Sequence, residues 1–94
     1  MIQSYKDEQA KQLYDGKRIR KWQAIKRQAQ KRLLVLDAAD HLEVLMLLPS
    51  NRFEALIGDR KSQYSIRIND QWRVCFTWPE DAAGPHDVEI IDYH

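Results

Sequence analysis

Residues 63–78 read Gln-Tyr-Ser-Ile-Arg-Ile-Asn-Asp-Gln-Trp-Arg-Val-Cys-Phe-Thr-Trp, and this stretch decides the fold. Apolar and polar residues alternate along both of its halves. The apolar members are Tyr64, Ile66 and Ile68 in the first half and Trp72, Val74, Phe76 and Trp78 in the second. Period-two alternation is typical of half-buried antiparallel strands, and Asn69-Asp70-Gln71 has the composition of a hairpin loop. The stretch therefore predicts a β-hairpin with one apolar face.

The length of the loop also predicts the register of this hairpin. If Ile68 faces Trp72, then Arg67 faces Arg73, and both arginines point away from the apolar face. Like charges directly opposite each other are unfavourable in a sheet. The cost is tolerable in solvent, where the side chains are simply extended, or it is offset by an anion bound between them. Both interpretations stay open at the level of the sequence.

Two further strands are predicted outside the hairpin. Asp87–Tyr93 has Val88 and Ile90 on one face and forms a third strand, and Ile2–Lys6 forms a short first strand.

The first half of the chain is predicted to be helical. Asp7 caps a helix that runs to about Tyr14, and a longer helix follows from about Ile19 to Asp37. The apolar residues of the longer helix follow the spacing of one buried stripe and are Trp22, Ile25, Ala29, Leu33 and Leu36. Asp40 caps a short helical turn over His41–Leu48. The predicted fold is α+β, with two N-terminal helices packed on a small, twisted, mostly antiparallel sheet.

Length and composition limit the classes of protein. At 94 residues the chain forms one domain, residues 1–94, with a single core. Its one cysteine, Cys75, fits a reducing cytoplasm. The start lacks the pattern of a signal peptide, and no apolar stretch is long enough to cross a membrane. We therefore expect a cytoplasmic protein without a membrane partner.

The net charge is only +1, but the cations are unevenly distributed. Eight lysines and arginines lie between Gly16 and Leu36 with no acid among them. A segment of this kind binds nucleic acid or an acidic protein surface, or it is merely the solvated face of a helix.

Residues with the chemistry of a phosphodiester site flank the hairpin. Gly58 permits a turn with positive φ, and Arg60 and Lys61 place two cations beside the sheet. His94, the last residue, is the strongest acid/base candidate because imidazole titrates near neutral pH. The alternative is that a terminal histidine merely frays. The single cysteine and three scattered histidines show no metal-ligand spacing, so neither a metal nor another cofactor is expected.

These residues together resemble the HigB toxins of the RelE/ParE superfamily of toxin–antitoxin modules. The resemblance covers nearly the whole chain. It is carried by Gly58-Asp59-Arg60, Gln63–Ile68, Trp72–Phe76, Val88-Glu89 and the terminal Asp92-Tyr93-His94. It implies a metal-independent endoribonuclease that cleaves mRNA on the 70S ribosome. It also implies a HigA-like helix-turn-helix antitoxin, through which alone the toxin would meet operator DNA.

The resemblance also implies roles for individual residues. Arg73 would stabilise the transition state, and Asp92, Tyr93 and His94 would complete the catalytic set. Arg60, Lys61 and Arg67 would bind RNA phosphates. The exposed cations of the second helix would contact ribosomal RNA or the antitoxin, and these are Arg20, Lys21, Arg27 and Lys31.

The chain departs from the family pattern at two positions. Ile57 stands where a lysine is frequent, and Ser62 where a glycine is frequent. Because the positive charge of that lysine is absent at position 57, we expect a weaker toxin unless Lys61 or Arg67 takes its place.

Two other functional classes compete with this prediction. A ParE-like poison of DNA gyrase would need no acid or base, which a terminal His94 argues against. A non-toxic nucleic-acid-binding regulator would be expected to carry a helix-turn-helix pattern, which the sequence does not show.

Overall fold

The structure, a computed structural model, describes residues 1–60 and 62–92 and has an α+β fold. Its α-helices are α1 (Glu8–Tyr14), α2 (Lys26–Ala38) and α3 (Leu42–Met46). Three 3₁₀ turns cover Arg20–Ile25, Pro49–Asn51 and Gly58–Arg60. The strands are β1 (Glu54–Ala55), β2 (Gln63–Arg67), β3 (Trp72–Thr77) and β4 (His86–Asp92). Over the described residues they form one antiparallel sheet in the order β1-β2-β3-β4.

The predicted register of the hairpin is confirmed, since Arg67 pairs with Arg73. The loop is closed by the Ile68 amide, which donates to the Trp72 carbonyl at 2.9 Å. Asn69 fixes the turn because its Oδ1 accepts from the amides of Gln71 (2.9 Å) and Trp72 (2.8 Å). These are the local bonds for which asparagine is favoured in turns.

The core lies between the helices and the apolar face of the sheet. The predicted stripe is confirmed: Trp22, Ile25, Ala29, Leu33 and Leu36 are all buried. They pack with Ile66, Val74 and Phe76 of the sheet in one hydrophobic cluster. Trp22 meets Trp72 edge to face, with ring centroids 6.3 Å apart.

The prediction of one helix from Ile19 to Asp37 is wrong. The segment begins as a 3₁₀ turn, and Ile25, at φ −116° and ψ 9°, separates that turn from α2. Trp22 and Ile25 are three residues apart, which is one full turn of a 3₁₀-helix. The same two side chains therefore reach the core from either type of helix, and the apolar spacing could not distinguish them.

The caps of the other helices were predicted with mixed success. Asp7 caps α1 as predicted, since its Oδ1 accepts from the Gln9 amide at 2.9 Å. Asp40 does not cap α3: the N-cap position is His41, and it makes no side-chain capping bond.

Residues 2–6 do not form the predicted strand. They run beside β4 in the parallel direction, with one isolated bridge between Tyr5 and Val88. The Lys6 amide donates to the Val88 carbonyl at 2.9 Å, and the Val88 amide donates to the Ser4 carbonyl at 3.1 Å. This short pairing holds the N-terminal segment against the sheet.

The described residues contain no helix that is both long and apolar enough to cross a membrane.

Candidate functional site

Arg73 lies at the centre of the sheet face that points away from α2. Of the two interpretations that the sequence left open, an arginine extended into solvent does not describe Arg73, because only 7% of the residue is accessible. Its side chain extends across β2, where Nε donates to Ser65 Oγ at 2.8 Å and Nη2 lies 3.4 Å from the Ser65 carbonyl. Nη2 also donates to the Arg52 carbonyl, just before β1. The guanidinium is therefore fixed by the backbone and side chains of two neighbouring segments.

Arg67 lies directly opposite Arg73 and is half-buried. It forms an ion pair with Asp70 of the hairpin loop. This acid reduces the like-charge repulsion that the register creates. The predicted juxtaposition of two arginines is thus confirmed, whereas the predicted anion between them remains a prediction.

The two arginines open into a cavity of about 350 Å³. It is lined by Arg52, Glu54, Arg67, Asp70 and Arg73. Glu54 brings a carboxylate to the cavity from β1, the strand that the sequence did not predict. Neither Glu54 nor Arg52 was among the predicted site residues. The two-residue strand carries no alternation that would have signalled either residue.

A second cavity of about 480 Å³ shares Arg52 and Arg67 with the first. Its other lining residues are Arg32 from α2, Pro49, Ser50 and Ile68. Since they share two lining residues, the two cavities are treated as one surface, which we call the arginine groove. The groove is lined by Arg32, Pro49, Ser50, Arg52, Glu54, Arg67, Ile68, Asp70 and Arg73.

Arg60 lies beyond Glu54, with which it lines a third cavity of about 350 Å³. Its Nη1 donates to Gln63 Oε1 at 3.0 Å and lies 3.4 Å from Glu89 Oε2. This predicted phosphate-binding residue is therefore close to the arginine groove but paired with protein acceptors. Gly58, at the start of the same turn, has the predicted positive φ of 71°.

Cys75 lies two residues after Arg73 on β3, on the same face of the sheet, and it pairs with Glu89 of β4. It is fully buried, and burial raises the pKa of its thiol to about 11. At neutral pH it is a protonated packing residue rather than a nucleophile.

Of the three predicted catalytic residues at the C-terminal end, the structure describes Asp92. Asp92 pairs with Trp72, so its register position is on the opposite face of the sheet from Arg73. Its Oδ2 accepts from Gln71 Nε2 at 3.1 Å. Tyr93, His94 and Lys61 lie outside the described residues.

The predicted ribosome or antitoxin contacts are all exposed, and they are Arg20, Lys21, Arg27 and Lys31. None of them lines the arginine groove. Lys21 Nζ lies 4.5 Å from the ring centroid of Trp22, a cation–π contact. The described residues include no group of three histidines, cysteines or acids that could hold a metal ion.

Helices packed on a four-stranded antiparallel sheet, with a basic groove around a central arginine, are consistent with a RelE-like toxin. The family model of RelE-like toxins of the type II toxin–antitoxin system HigB matches residues 3–94. Toxin HigB-1 of Vibrio cholerae is 39% identical over 85 residues, which are 88% of this chain and 90% of that protein. The chain belongs to the HigB-like family, and membership implies a cognate antitoxin.

Proposed function

We propose that this toxin is a cytoplasmic, ribosome-dependent mRNA endoribonuclease that a HigA-like helix-turn-helix antitoxin neutralises. The observation that carries the proposal is the arginine groove, in which a fixed guanidinium and a carboxylate share one cavity. Cleavage of RNA needs cations at the phosphate and groups that move protons. Membership of the HigB-like family places the chain among toxins for which this chemistry is expected.

The reaction begins with attack of the ribose 2′-oxygen on the adjacent phosphorus. A base removes the proton of the 2′-hydroxyl, the bond between the 2′-oxygen and phosphorus forms, and the bond to the 5′-oxygen breaks. The leaving 5′-oxygen takes up a proton, which gives a 2′,3′-cyclic phosphate and a free 5′-hydroxyl. Water and metal ions take no part in this sequence of steps.

Arg73 stabilises the negative charge that develops on the phosphoryl oxygens. Its hydrogen bonds to Ser65 and to the Arg52 carbonyl fix the guanidinium before RNA binds, so little reorganisation is needed during the reaction. Arg67, which pairs with Arg73 in the sheet, and Arg60, in the turn before β2, bind the RNA backbone, together with Lys61, the next residue in the sequence.

Glu54 is the candidate base, because its carboxylate lines the same cavity as Arg73. His94 is the candidate acid for the leaving 5′-oxygen, and Tyr93 assists it. Asp92 has its register position on the sheet face opposite Arg73, so its part in the reaction is an indirect one. In this assignment a carboxylate accepts the proton and an imidazole donates one, so the two proton transfers have separate groups.

The proposal is tested with ribosomes programmed with a defined mRNA. Glu54→Gln and His94→Ala should each lower the cleavage rate by about 10²-fold or more, the usual contribution of a general acid or base. Glu80→Gln, which neutralises an exposed carboxylate in the loop before β4, is the matched control and should cleave like the wild type. The 3′ ends of the products should carry a cyclic phosphate.

Wild-type rates in both Glu54→Gln and His94→Ala would disprove the catalytic assignment. Growth arrest with DNA damage and intact mRNA would instead favour a gyrase poison.

A further inference from the structure

The end of the arginine groove that is remote from Glu54 is formed by Arg32, Arg52 and Arg67. The proposed chemistry uses Arg73 and Glu54 at the other end and assigns no role to Arg32 or Arg52. Arg67 is paired with Asp70, whereas no ion pair neutralises Arg32 or Arg52 among the described residues, so this end of the groove favours a bound anion.

Arg52 is held in an unusual backbone conformation at this point. Its φ of 46° and ψ of 49° are left-handed, a conformation that is unfavourable for a residue other than glycine. Its amide donates to the Pro49 carbonyl at 3.1 Å, and its own carbonyl accepts from Arg73. Its exposed side chain makes no hydrogen bond or ion pair with the residues that the structure describes. The fold therefore fixes the backbone of Arg52 and leaves its guanidinium available to a ligand.

Arg32 is positioned from the helical side of the groove. Its Nη1 donates to Asn51 Oδ1 at 2.7 Å and lies 3.5 Å from Ser50 Oγ. Asn51 is fully buried and is itself anchored by its Nδ2, which donates to the Leu45 carbonyl at 3.0 Å. Because both partners of Arg32 are neutral, these contacts orient the guanidinium without neutralising its charge.

The charge of the groove is high for so small a protein. Of the described residues, four arginines and two acids line it, a net charge of +2, whereas the whole chain carries +1. The two acids, Glu54 and Asp70, both line the cavity that contains Arg73. Among the residues that the structure describes, none that lines the cavity at the Arg32 end is acidic.

We propose that Arg32 and Arg52, together with Arg67, bind a phosphate of the mRNA that neighbours the cleaved one. The proposal rests on the proposed function and adds a second phosphate site to it. Pro49 and Ile68 provide apolar walls for the attached sugar. The site positions the strand so that the cleaved phosphate lies at Arg73.

The test measures binding, because binding is independent of cleavage. A short single-stranded RNA with a 2′-deoxy group at the cleavage position cannot react and is titrated with the full-length protein by fluorescence anisotropy. Arg32→Gln and Arg52→Gln should each weaken binding about tenfold, the order expected for a hydrogen bond to a charged group. Each should also lower the slope of log K against log salt by about 0.7, as for one lost phosphate contact on a single strand.

The control variants separate this site from general charge effects. Glutamine at position 32 keeps an amide that can bond to Asn51 Oδ1, so thermal unfolding of Arg32→Gln should match that of the wild type. Arg18→Gln removes the same charge from an exposed residue outside the groove and should bind RNA like the wild type. Equal binding by Arg32→Gln, Arg52→Gln and Arg18→Gln would overturn the proposal.

Chemical modification of the RNA identifies which phosphate is bound. Methylphosphonates, which are uncharged, are introduced one at a time on either side of the cleavage position. The methylphosphonate at the bound phosphate should weaken wild-type binding, and it should weaken binding by Arg32→Gln to a smaller extent, because one of the three cations at that phosphate is already missing. If Arg32→Gln and Arg52→Gln instead weakened binding to ribosomes and left binding of the RNA oligonucleotide unchanged, the ligand would be ribosomal RNA. In that case the proposed mRNA site would be overturned. Cleavage by the wild-type protein tests the proposed function separately.

Discussion

At the scale of single residues, Arg73 shows how a buried charge can serve structure and chemistry together. Removing a guanidinium from water is costly unless its donors are satisfied. Here the side chain donates to Ser65 and to the Arg52 carbonyl, so it links β3, β2 and the segment before β1. An Arg73→Ala variant would lose these links as well as the positive charge. A variant of one of its partners therefore gives a clearer test of positioning.

Ser65→Ala is such a variant. It removes the buried hydroxyl that accepts from Arg73 Nε. We expect a loss of about 1–3 kcal/mol in the free energy of unfolding, since a buried donor loses its partner. Cleavage should also slow, because the guanidinium is held less firmly. Urea unfolding and single-turnover cleavage measure the two effects. Ser62→Ala, at an exposed position, should change neither; a wild-type cleavage rate in Ser65→Ala would show that this bond does not position Arg73.

Cys75 predicts a pH dependence of stability. Burial raises the pKa of its thiol to about 11 in the folded protein, whereas an unfolded thiol ionises near about 8.5. Between these values the unfolded chain has released a proton that the folded chain keeps. The free energy of unfolding therefore falls as the pH rises through this range.

The measurement compares the wild type with Cys75→Ala in urea from pH 7 to 11. The stability of the wild type should fall more steeply above pH 8.5 than that of the variant. Because Cys75 is the one cysteine of the chain, a thiol reagent reports on it alone. At pH 8 the reagent should react slowly with folded protein and rapidly in urea. Parallel stability curves, or fast labelling of the folded protein, would contradict the prediction.

At the scale of secondary-structure elements, local signals were predictable and long-range pairings were not. The hairpin register followed from alternation and from an asparagine turn, both of which act over a few residues. β1 has only two residues and exists because it pairs with β2, which lies nearly ten residues further along the chain. Glu54 and Arg52 were missed for the same reason. Arg32 was missed because the basic segment of the sequence gave no sign of which cation turns toward the sheet.

α2 offers a direct comparison of a buried and an exposed leucine. Leu33 is fully buried in the core, whereas its neighbour Leu34 is 57% exposed. Leu33→Ala should lower the free energy of unfolding by about 2–5 kcal/mol, through lost burial and the remaining cavity. Leu34→Ala should change it by no more than about 0.5 kcal/mol. Chemical denaturation of both variants checks the assignment, and similar losses in the two would show that α2 packs with a different face inward.

At the scale of the whole molecule, the toxin carries exposed cations besides those that line the arginine groove. The arginine groove lies at the sheet and is recessed. Four cations are exposed and line no part of the groove, namely Arg20 and Lys21 of the first 3₁₀ turn and Arg27 and Lys31 of α2, whereas Arg32 of α2 does line it. The proposed cleavage of mRNA on the ribosome requires contact with two polyanions, and cations outside the groove would allow both to be bound at once. Phosphate contacts of this kind position a protein without sequence selectivity.

This separation predicts that ribosome binding and mRNA binding can be weakened independently. Arg27→Glu with Lys31→Glu reverses two exposed charges one helical turn apart on α2. The double variant should bind ribosomes more weakly and with a smaller dependence on salt, since phosphate contacts are lost. It should still bind the 2′-deoxy oligonucleotide as the wild type does. Lys17→Glu with Arg18→Glu makes the same change of net charge at exposed positions before the 3₁₀ turn. If both double variants bound ribosomes equally well, α2 would be an ordinary solvated helix face or the surface on which the antitoxin docks.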